Sequence, residues 1–124
     1  MSETPLVLSS TSLQGDAIVS PEGDKLGTLK EIMIDLRSGR VAYAVLSRGG
    51  MMGVGEKLFA LPWSLLTVDP DEKNLRLDVD PELLENSTGF DPDDWPSFSS
   101  EDWGEETHRR YGVQPYWQDG PSIT

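Results

Sequence analysis

The sequence contains no cysteine and a single histidine among its 124 residues. The absence of cysteine excludes disulfide bonds, thiolate metal sites and a cysteine nucleophile. Basic side chains are also scarce, because 10 Lys and Arg residues stand against 22 Asp and Glu residues and give a net charge of −12. A strongly acidic surface repels a phosphate backbone, so we expect no nucleic-acid partner.

Long hydrophobic runs are missing as well. No stretch approaches the roughly 18 consecutive apolar residues of a membrane-spanning helix. The first residues, Met1 to Leu8, have no basic region, and their apolar run is too short for a signal peptide. We therefore expect a cytoplasmic protein without direct membrane insertion. Apolar residues still make up 36% of the chain, enough for the core of one domain with an appendage.

Charge and aromatic residues are unevenly distributed along the chain. Residues 1–80 carry 8 basic and 12 acidic side chains, whereas residues 81–124 carry 2 and 10. The same last third holds seven of the ten aromatic residues: Phe90, Trp95, Phe98, Trp103, Tyr111, Tyr116 and Trp117. A disordered acidic tail is normally poor in aromatics, so this segment is predicted to pack against something.

Short strands separated by turn residues are predicted over the first 80 residues. The expected strands are Asp16–Ser20, Gly27–Leu36, Arg40–Ser47, Glu56–Pro62, Leu65–Val68 and Asn74–Val79. Pro62-Trp63-Ser64 is predicted to form a corner, because proline cannot donate to a strand ladder. Six short strands at this spacing indicate a small antiparallel barrel or sandwich.

Two of the strands carry more detailed predictions. Apolar residues occupy both faces of Arg40–Ser47, so this strand is expected to be central and covered on each side. In Gly27–Leu36, Leu29 is out of phase with Ile32, Ile34 and Leu36, which share one face. A β-bulge near Lys30-Glu31 would correct the register and bend the strand.

Two helices are expected after the last strand. Asp80 is a typical N-cap with proline at the next position, so Pro81–Glu85 is predicted to form one helical turn. Ser99 or Ser100 caps a second helix that runs to Tyr111, with Gly112 just beyond its end. Its stripe of Trp103, Thr107 and Tyr111 is expected to pack on the barrel.

Residues able to support catalysis or metal binding are few. His108 is expected near the end of the second helix, where a cation complements the helix dipole, and not as a catalytic base. Gly50–Lys57 resembles a phosphate-binding loop only in its glycine spacing, because Leu58 follows Lys57 where Ser or Thr is required. Asp91-Pro92-Asp93-Asp94 is expected to be a solvated turn instead of a cation site. We predict no catalytic residue, cofactor or metal.

Several spaced segments resemble the PRC-barrel domain. They are Gly27–Asp35, Ser38–Leu46 and Phe59-Ala60-Leu61-Pro62-Trp63, and the likeness covers about Leu13 to Leu84. The segment from Asp94 to Trp117 looks like the C-terminal extension of stand-alone bacterial members. The family includes the cytoplasmic part of the photosynthetic reaction-centre H subunit and the C-terminal domain of a ribosome maturation factor.

This resemblance implies a mainly β fold, a small six-stranded antiparallel β-barrel followed by an extension with one short helix. The expected division is an N-terminal segment at 1–12, a barrel domain at 13–84 and an acidic, aromatic extension at 85–124. The extension is expected to pack on its own barrel or on a dimer partner. It also implies a non-enzymatic assembly or protein-interaction module, with a function in ribosome maturation and a ligand-binding or catalytic site at a dimer interface as alternatives.

The expected partners are a second copy of the chain and an unidentified protein. A barrel of this size buries little surface, and edge strands invite pairing, so a homodimer is predicted. The candidate interaction surface consists of two loop methionines and five aromatic residues of the extension. These are Met51, Met52, Trp95, Trp103, Tyr111, Tyr116 and Trp117.

Overall fold

The computed structural model of the chain describes residues 5–49 and 55–118. These residues contain six strands, β1 to β6, and three helices, α1 to α3. The strands are Ala17–Val19, Lys25–Asp35, Arg40–Arg48, Lys57–Pro62, Leu66–Asp69 and Asn74–Leu77. The helices are Ser10–Leu13, Pro81–Glu85 and Glu101–Arg110, with 3₁₀ turns at Trp63–Leu65 and Tyr116–Gln118.

One mixed sheet contains all six strands, in the order β4-β3-β2-β1-β6-β5. The prediction of a mainly β, six-stranded fold is confirmed, but the prediction of an antiparallel barrel holds only in part. Strand β1 pairs with β6 in parallel, with Ile18 opposite Leu75, and the sheet is not closed between β4 and β5. The parallel pair arises because the 3₁₀ turn Trp63–Leu65 carries the chain from one edge of the sheet to the other, whereas hairpins alone would give antiparallel neighbours.

Strand β3 is the best predicted part of the fold. It lies inside the sheet between β2 and β4, and the residues from Ala42 to Leu46 are all buried. Ala44 and Leu46 belong to the hydrophobic core, whereas Tyr43 points to the opposite face. Both faces of this strand are therefore covered, which explains why its sequence is apolar in both phases.

The β2–β3 hairpin contains two irregularities. The first lies between Leu29 and Glu31, which confirms the predicted bulge and places Leu29 in the core. A second register shift lies between Met33 and Ile34, where the sequence pattern predicted none. Beyond it the hairpin extends past the core, so Ile34 and Leu36 are exposed although Ile32 packs against the core.

Local signals are borne out at the turns and caps. Proline and tryptophan form the predicted corner, the 3₁₀ turn Trp63–Leu65. Asp69 closes the β5–β6 hairpin turn by accepting hydrogen bonds from the backbone N–H groups of Asp71 and Glu72. Asp80 caps α2 through Glu82 N–H. Each polar side chain satisfies a backbone group that the turn or helix end would leave unpaired.

The core lies on one face of the sheet and is almost entirely aliphatic. Its buried members include Leu13 from α1, a helix that the sequence pattern did not indicate, and Leu84 from α2. Strand β6 ends at Leu77, two residues earlier than predicted, but Val79 still packs against this core. The two short helices therefore extend the core beyond the strands.

Candidate interaction surface

The extension covers the outer face of β3, and Tyr43 is the centre of this contact. Its side chain is buried, and its ring centroid lies 5.2 Å from that of Trp103, 5.6 Å from Phe98 and 5.9 Å from Tyr116. All three pairs are edge-to-face, the arrangement that aromatic quadrupoles favour. Such a cluster fixes the position of the extension on the sheet.

The extension also covers the exposed edge of β4. Phe90 forms an isolated bridge with Leu58, in which the backbone N–H of each residue donates to the carbonyl of the other at 2.8 and 2.9 Å. An ion pair of 2.9 Å between Lys57 Nζ and Asp91 Oδ1 lies beside this bridge. Because unpaired strand edges bind other strands, this bridge occupies part of one of the two edges of the sheet and limits pairing there.

Helix α3 has the predicted cap and stripe. Ser100 accepts a hydrogen bond from Trp103 N–H at 3.2 Å, and Gly112 follows with a positive φ of 74°, so both helix ends agree with the prediction. Thr107 and Tyr111 are buried. The predicted face therefore packs on the sheet.

His108 is buried, which corrects the prediction of a cation that complements the helix dipole at the end of α3. Its Nδ1 lies 2.7 Å from the carbonyl oxygen of Gly104, and its Nε2 accepts a hydrogen bond from Tyr116 N–H at 3.2 Å. Nδ1 must carry the proton, since a carbonyl oxygen can only accept, so the ring is neutral. Burial lowers the pKa of His108 below 6.5. Removal from water outweighs the helix dipole here.

Tyr116 fastens the end of the extension to the β2–β3 hairpin. Its hydroxyl donates to Asp35 Oδ2 at 2.5 Å, and its carbonyl accepts from Arg40 Nη1 at 2.8 Å. The guanidinium carbon of Arg40 lies 5.7 Å from the tyrosine ring centroid. Burial, followed by the bond to Asp35, raises the pKa of Tyr116 to about 12. The same bond is the main reason that the pKa of Asp35 is lowered.

A groove of about 660 Å³ lies between the hairpin tip and the extension. We call it the hairpin groove. Its lining comes from the end of β2 and the following turn (Met33–Arg37), from β3 (Ala42 and Tyr43), and from the extension (Phe98–Glu101, Tyr116 and Trp117). Leu36 is 90% exposed and Ile34 is 53% exposed. Two large aliphatic side chains therefore reach solvent at this groove, whereas the aromatic side chain of Tyr43 is buried beneath it.

Comparison with known families matches the PRC-barrel domain to residues 6–84, well over half of the chain. The chain belongs to the PRC-barrel family. Among solved structures, it is similar to the 16S ribosomal RNA processing protein RimM from Pseudomonas aeruginosa, at 16% identity and a TM-score of 0.39. That alignment covers 60% of this chain and 45% of that protein, so this chain spans less than half of its length. No curated protein sequence matches the chain.

The PRC-barrel match begins before α1 and ends at Leu84 of α2. Both helices contribute a buried leucine to the core, Leu13 and Leu84, and the matched segment supplies every buried residue of this core cluster except Tyr111. In the ranges 5–49 and 55–118, no helix of this PRC-barrel protein is both long and apolar enough to cross a bilayer.

The predicted interaction residues fall into three groups. Met51 and Met52 lie outside the described residues. Tyr111 is buried in the core and its hydroxyl bonds Ser87 at 3.2 Å, so it is not available on the surface of this structure. The partly exposed aromatics are Trp95, Trp103, Tyr116 and Trp117. Of these, Tyr116 and Trp117 line the hairpin groove.

The described part of the PRC-barrel chain brings together no group of three or more His, Cys, Asp or Glu residues that could hold a metal ion. The acidic turn that begins at Asp91 instead forms an ion pair with Lys57. His108 has both ring nitrogens in hydrogen bonds, so neither is available to take a proton from a substrate.

Three residues of the surface were not singled out from the sequence. Ile34 and Leu36 were assigned to a strand face, and Asp35 received no specific function. The available signal was their position directly before the turn Arg37-Ser38-Gly39, because apolar residues that flank a hairpin tip extend beyond the core. The partner of Asp35, Tyr116, is 81 positions away, a separation that no local pattern can encode.

Proposed function

We propose that this PRC-barrel chain is a non-enzymatic protein-interaction module that binds a protein partner at the hairpin groove. The observation that carries the proposal is the exposure of Leu36 and Ile34 beside a groove lined by aromatic residues. An exposed aliphatic side chain alone is ordinary, but a cluster of apolar residues beside a concave surface is typical of an interaction site. Large aromatic side chains at such a surface supply most of the binding energy in many complexes.

The bonding of polar side chains supports a role without catalysis. The one histidine is neutral and fully hydrogen-bonded, and Asp35 is held ionised by Tyr116 and by the N–H of Arg37. The buried side-chain nitrogen and oxygen atoms of the described residues all have hydrogen-bond partners. Catalytic groups usually retain an unused donor or acceptor directed at the substrate.

The proposal also includes a homodimer, in which two copies of the chain pair at the second edge of the sheet. The extension pairs with β4, so Leu66–Asp69 in β5 is the edge strand to which another copy can add. Size-exclusion chromatography with light scattering is expected to give twice the chain mass of 13.7 kDa. A single peak at the monomer mass at micromolar concentration would refute the dimer.

Ribosome maturation is the second candidate function, suggested by membership in the PRC-barrel family. With a net charge of −12, such a function would proceed through a ribosomal protein and not through RNA, because phosphates and carboxylates repel each other. Co-sedimentation with purified ribosomal subunits, compared with protein-free ribosomal RNA, tests it. Binding to the particles alone supports this function, and binding to neither excludes it.

The leading proposal is tested by site-specific crosslinking in cells. A photo-crosslinking amino acid placed at Leu36 is expected to give discrete adducts with a partner protein. Val7 is the matched control position, because it is an aliphatic residue that is 87% exposed and is not among the groove-lining residues. Adducts at position 36 but not at position 7 support the proposal. No adducts, or the same adducts from both positions, would refute it.

A further inference from the structure

The charge around the hairpin groove indicates what kind of partner it binds. Asp35 and Glu101 are the carboxylates of its lining, and Arg37 is the one basic residue among the described lining residues. The neighbouring Arg40 is not part of the lining and keeps its positive charge, and its guanidinium donates to the carbonyl of Tyr116. Asp35 stays ionised because the Tyr116 hydroxyl stabilises its negative form. The lining itself therefore carries two carboxylates and one basic side chain.

The acidic character continues along α3 from Glu101, the helix residue that lines the groove. After Glu101, the helix carries Asp102, Glu105 and Glu106 before its basic end. Glu101, Asp102 and Glu106 are exposed. Among them, Glu101 lines the hairpin groove, so a partner that contacts Leu36 in this groove also meets the acidic first turn of α3.

Resting on the proposed function, we infer that the hairpin groove binds a basic amphipathic segment of a partner protein. The apolar face of that segment packs against Ile34, Leu36 and Trp117, and its Lys or Arg side chains face Asp35, Glu101 and the carboxylates of α3. Charge complementarity of this kind steers association and selects the partner. A second copy of this chain would instead bring another net charge of −12 against the same surface.

Fluorescence anisotropy with two labelled peptides tests this inference. In the first peptide, Leu recurs at helical spacing and the other positions are Lys, and in the second every Lys is replaced by Glu. We expect the Lys peptide to bind at least about tenfold more tightly than the Glu peptide. Its affinity is also expected to fall as salt rises, because exposed charges are screened.

Three variants of the full chain locate the binding. Leu36→Ser is expected to weaken the Lys peptide about tenfold, because burial of one leucine contributes on that scale. Val7→Ser, an equally exposed control, is expected to change nothing. Glu101→Gln is expected to weaken the Lys peptide and to leave the Glu peptide unchanged or slightly improved. All three side chains are exposed, and thermal unfolding verifies that each variant folds.

Equal affinity for the two peptides, or an affinity that does not change in Leu36→Ser, would overturn the inference. A dimer mass that Leu36→Ser abolishes would assign the groove to a second copy and would overturn it too. Peptide binding seen only when the chain ends at Gln118 would assign the groove to residues 119–124. If crosslinks form from position 36 but neither peptide binds, the inference of a basic amphipathic partner is refuted, whereas the proposed protein-interaction function stands.

Discussion

The hydroxyl of Tyr116 lies 2.5 Å from Oδ2 of Asp35 and joins the end of the extension to the tip of the β2–β3 hairpin. The backbone N–H of the same tyrosine donates to Nε2 of His108, and its carbonyl oxygen accepts from Nη1 of Arg40. A single residue therefore connects α3, β3 and the hairpin. The wall of the hairpin groove depends on this connection, because Tyr116 is part of the lining.

Removing the Tyr116 hydroxyl is predicted to loosen the extension without unfolding the barrel. Tyr116→Phe keeps the ring contact with Tyr43 but deletes a hydrogen bond to a charged acceptor, a stronger kind of bond than a neutral pair. We expect a melting temperature lower by a few degrees and faster proteolysis between residues 85 and 118. Tyr111→Phe, which loses only a neutral bond to Ser87, is the control and is expected to cost less. Equal effects of the two changes would contradict the prediction.

The bond to Asp35 is predicted to make stability depend on acidic pH. The pKa of Asp35 is lowered from 3.8 in the folded protein, so the unfolded chain takes up this proton at a higher pH than the folded protein does. The contribution is fully present above 3.8 and is lost as the pH falls through the folded pKa. Urea unfolding at several pH values is expected to show that the advantage of the wild type over Asp35→Asn shrinks as the pH falls below 3.8. An advantage that is constant with pH would refute this linkage.

His108 is predicted to have a pKa below its ordinary value of 6.5, because burial disfavours the charged ring. The unfolded chain then binds the proton first, so stability falls as the pH drops below 6.5 and stops falling below the folded pKa. The chain has one histidine, so its imidazole gives a single set of NMR resonances that report the folded pKa and the tautomer. We expect the proton on Nδ1 and, for His108→Gln, a smaller loss of stability between neutral and mildly acidic pH. A folded pKa at or above 6.5 would contradict the prediction.

Replacing Gly104 in α3 is predicted to destabilise the protein, because two aromatic side chains approach this glycine closely. A Cβ at this position would lie 2.9 Å from the Tyr43 hydroxyl oxygen and 2.8 Å from the nearest ring atom of Trp117. Alanine normally favours a helix over glycine by about 1 kcal/mol, but overpacking costs about 1–3 kcal/mol. Gly104→Ala is therefore expected to destabilise by up to about 2 kcal/mol in chemical denaturation. In a Trp117→Leu background the cost is expected to be smaller, and an equal cost in both backgrounds would rule out the clash.

Local chemistry determined what could be predicted from the sequence. Asp80, Ser100 and Gly112 act at helix ends through bonds and dihedral angles that involve neighbouring residues only. Asp80 and Gly112 were predicted, and Ser100 was one of two predicted caps. The apolar residues in both phases of β3 indicated correctly that two layers cover it. The first bulge in β2 followed from a break in alternation at Leu29.

Features that depend on the long-range arrangement of the chain could not be predicted from the sequence. The parallel pairing of β1 with β6 joins segments that are not adjacent in the chain, and no side-chain pattern distinguishes a parallel from an antiparallel neighbour in a three-residue strand. The position of His108 in the last turn of α3 is typical of a helix-end cation. In the structure, however, Trp117 and Tyr116 fold back over its ring. That fold-back depends on the whole extension, so helix-dipole reasoning applied to α3 alone gave the wrong charge state.

The bridge between Phe90 and Leu58 makes the C-terminal extension a built-in cover for the edge of β4. The segment that terminates the sheet at β4 is covalently joined to it, so the effective concentration of this terminator does not fall on dilution. Cutting the chain after Glu85 would uncover both the edge of β4 at Leu58 and the face of β3 that carries Tyr43. Fragments made that way are expected to polymerise side by side, so shortening this protein from its C-terminal end converts a self-limited sheet into one that grows.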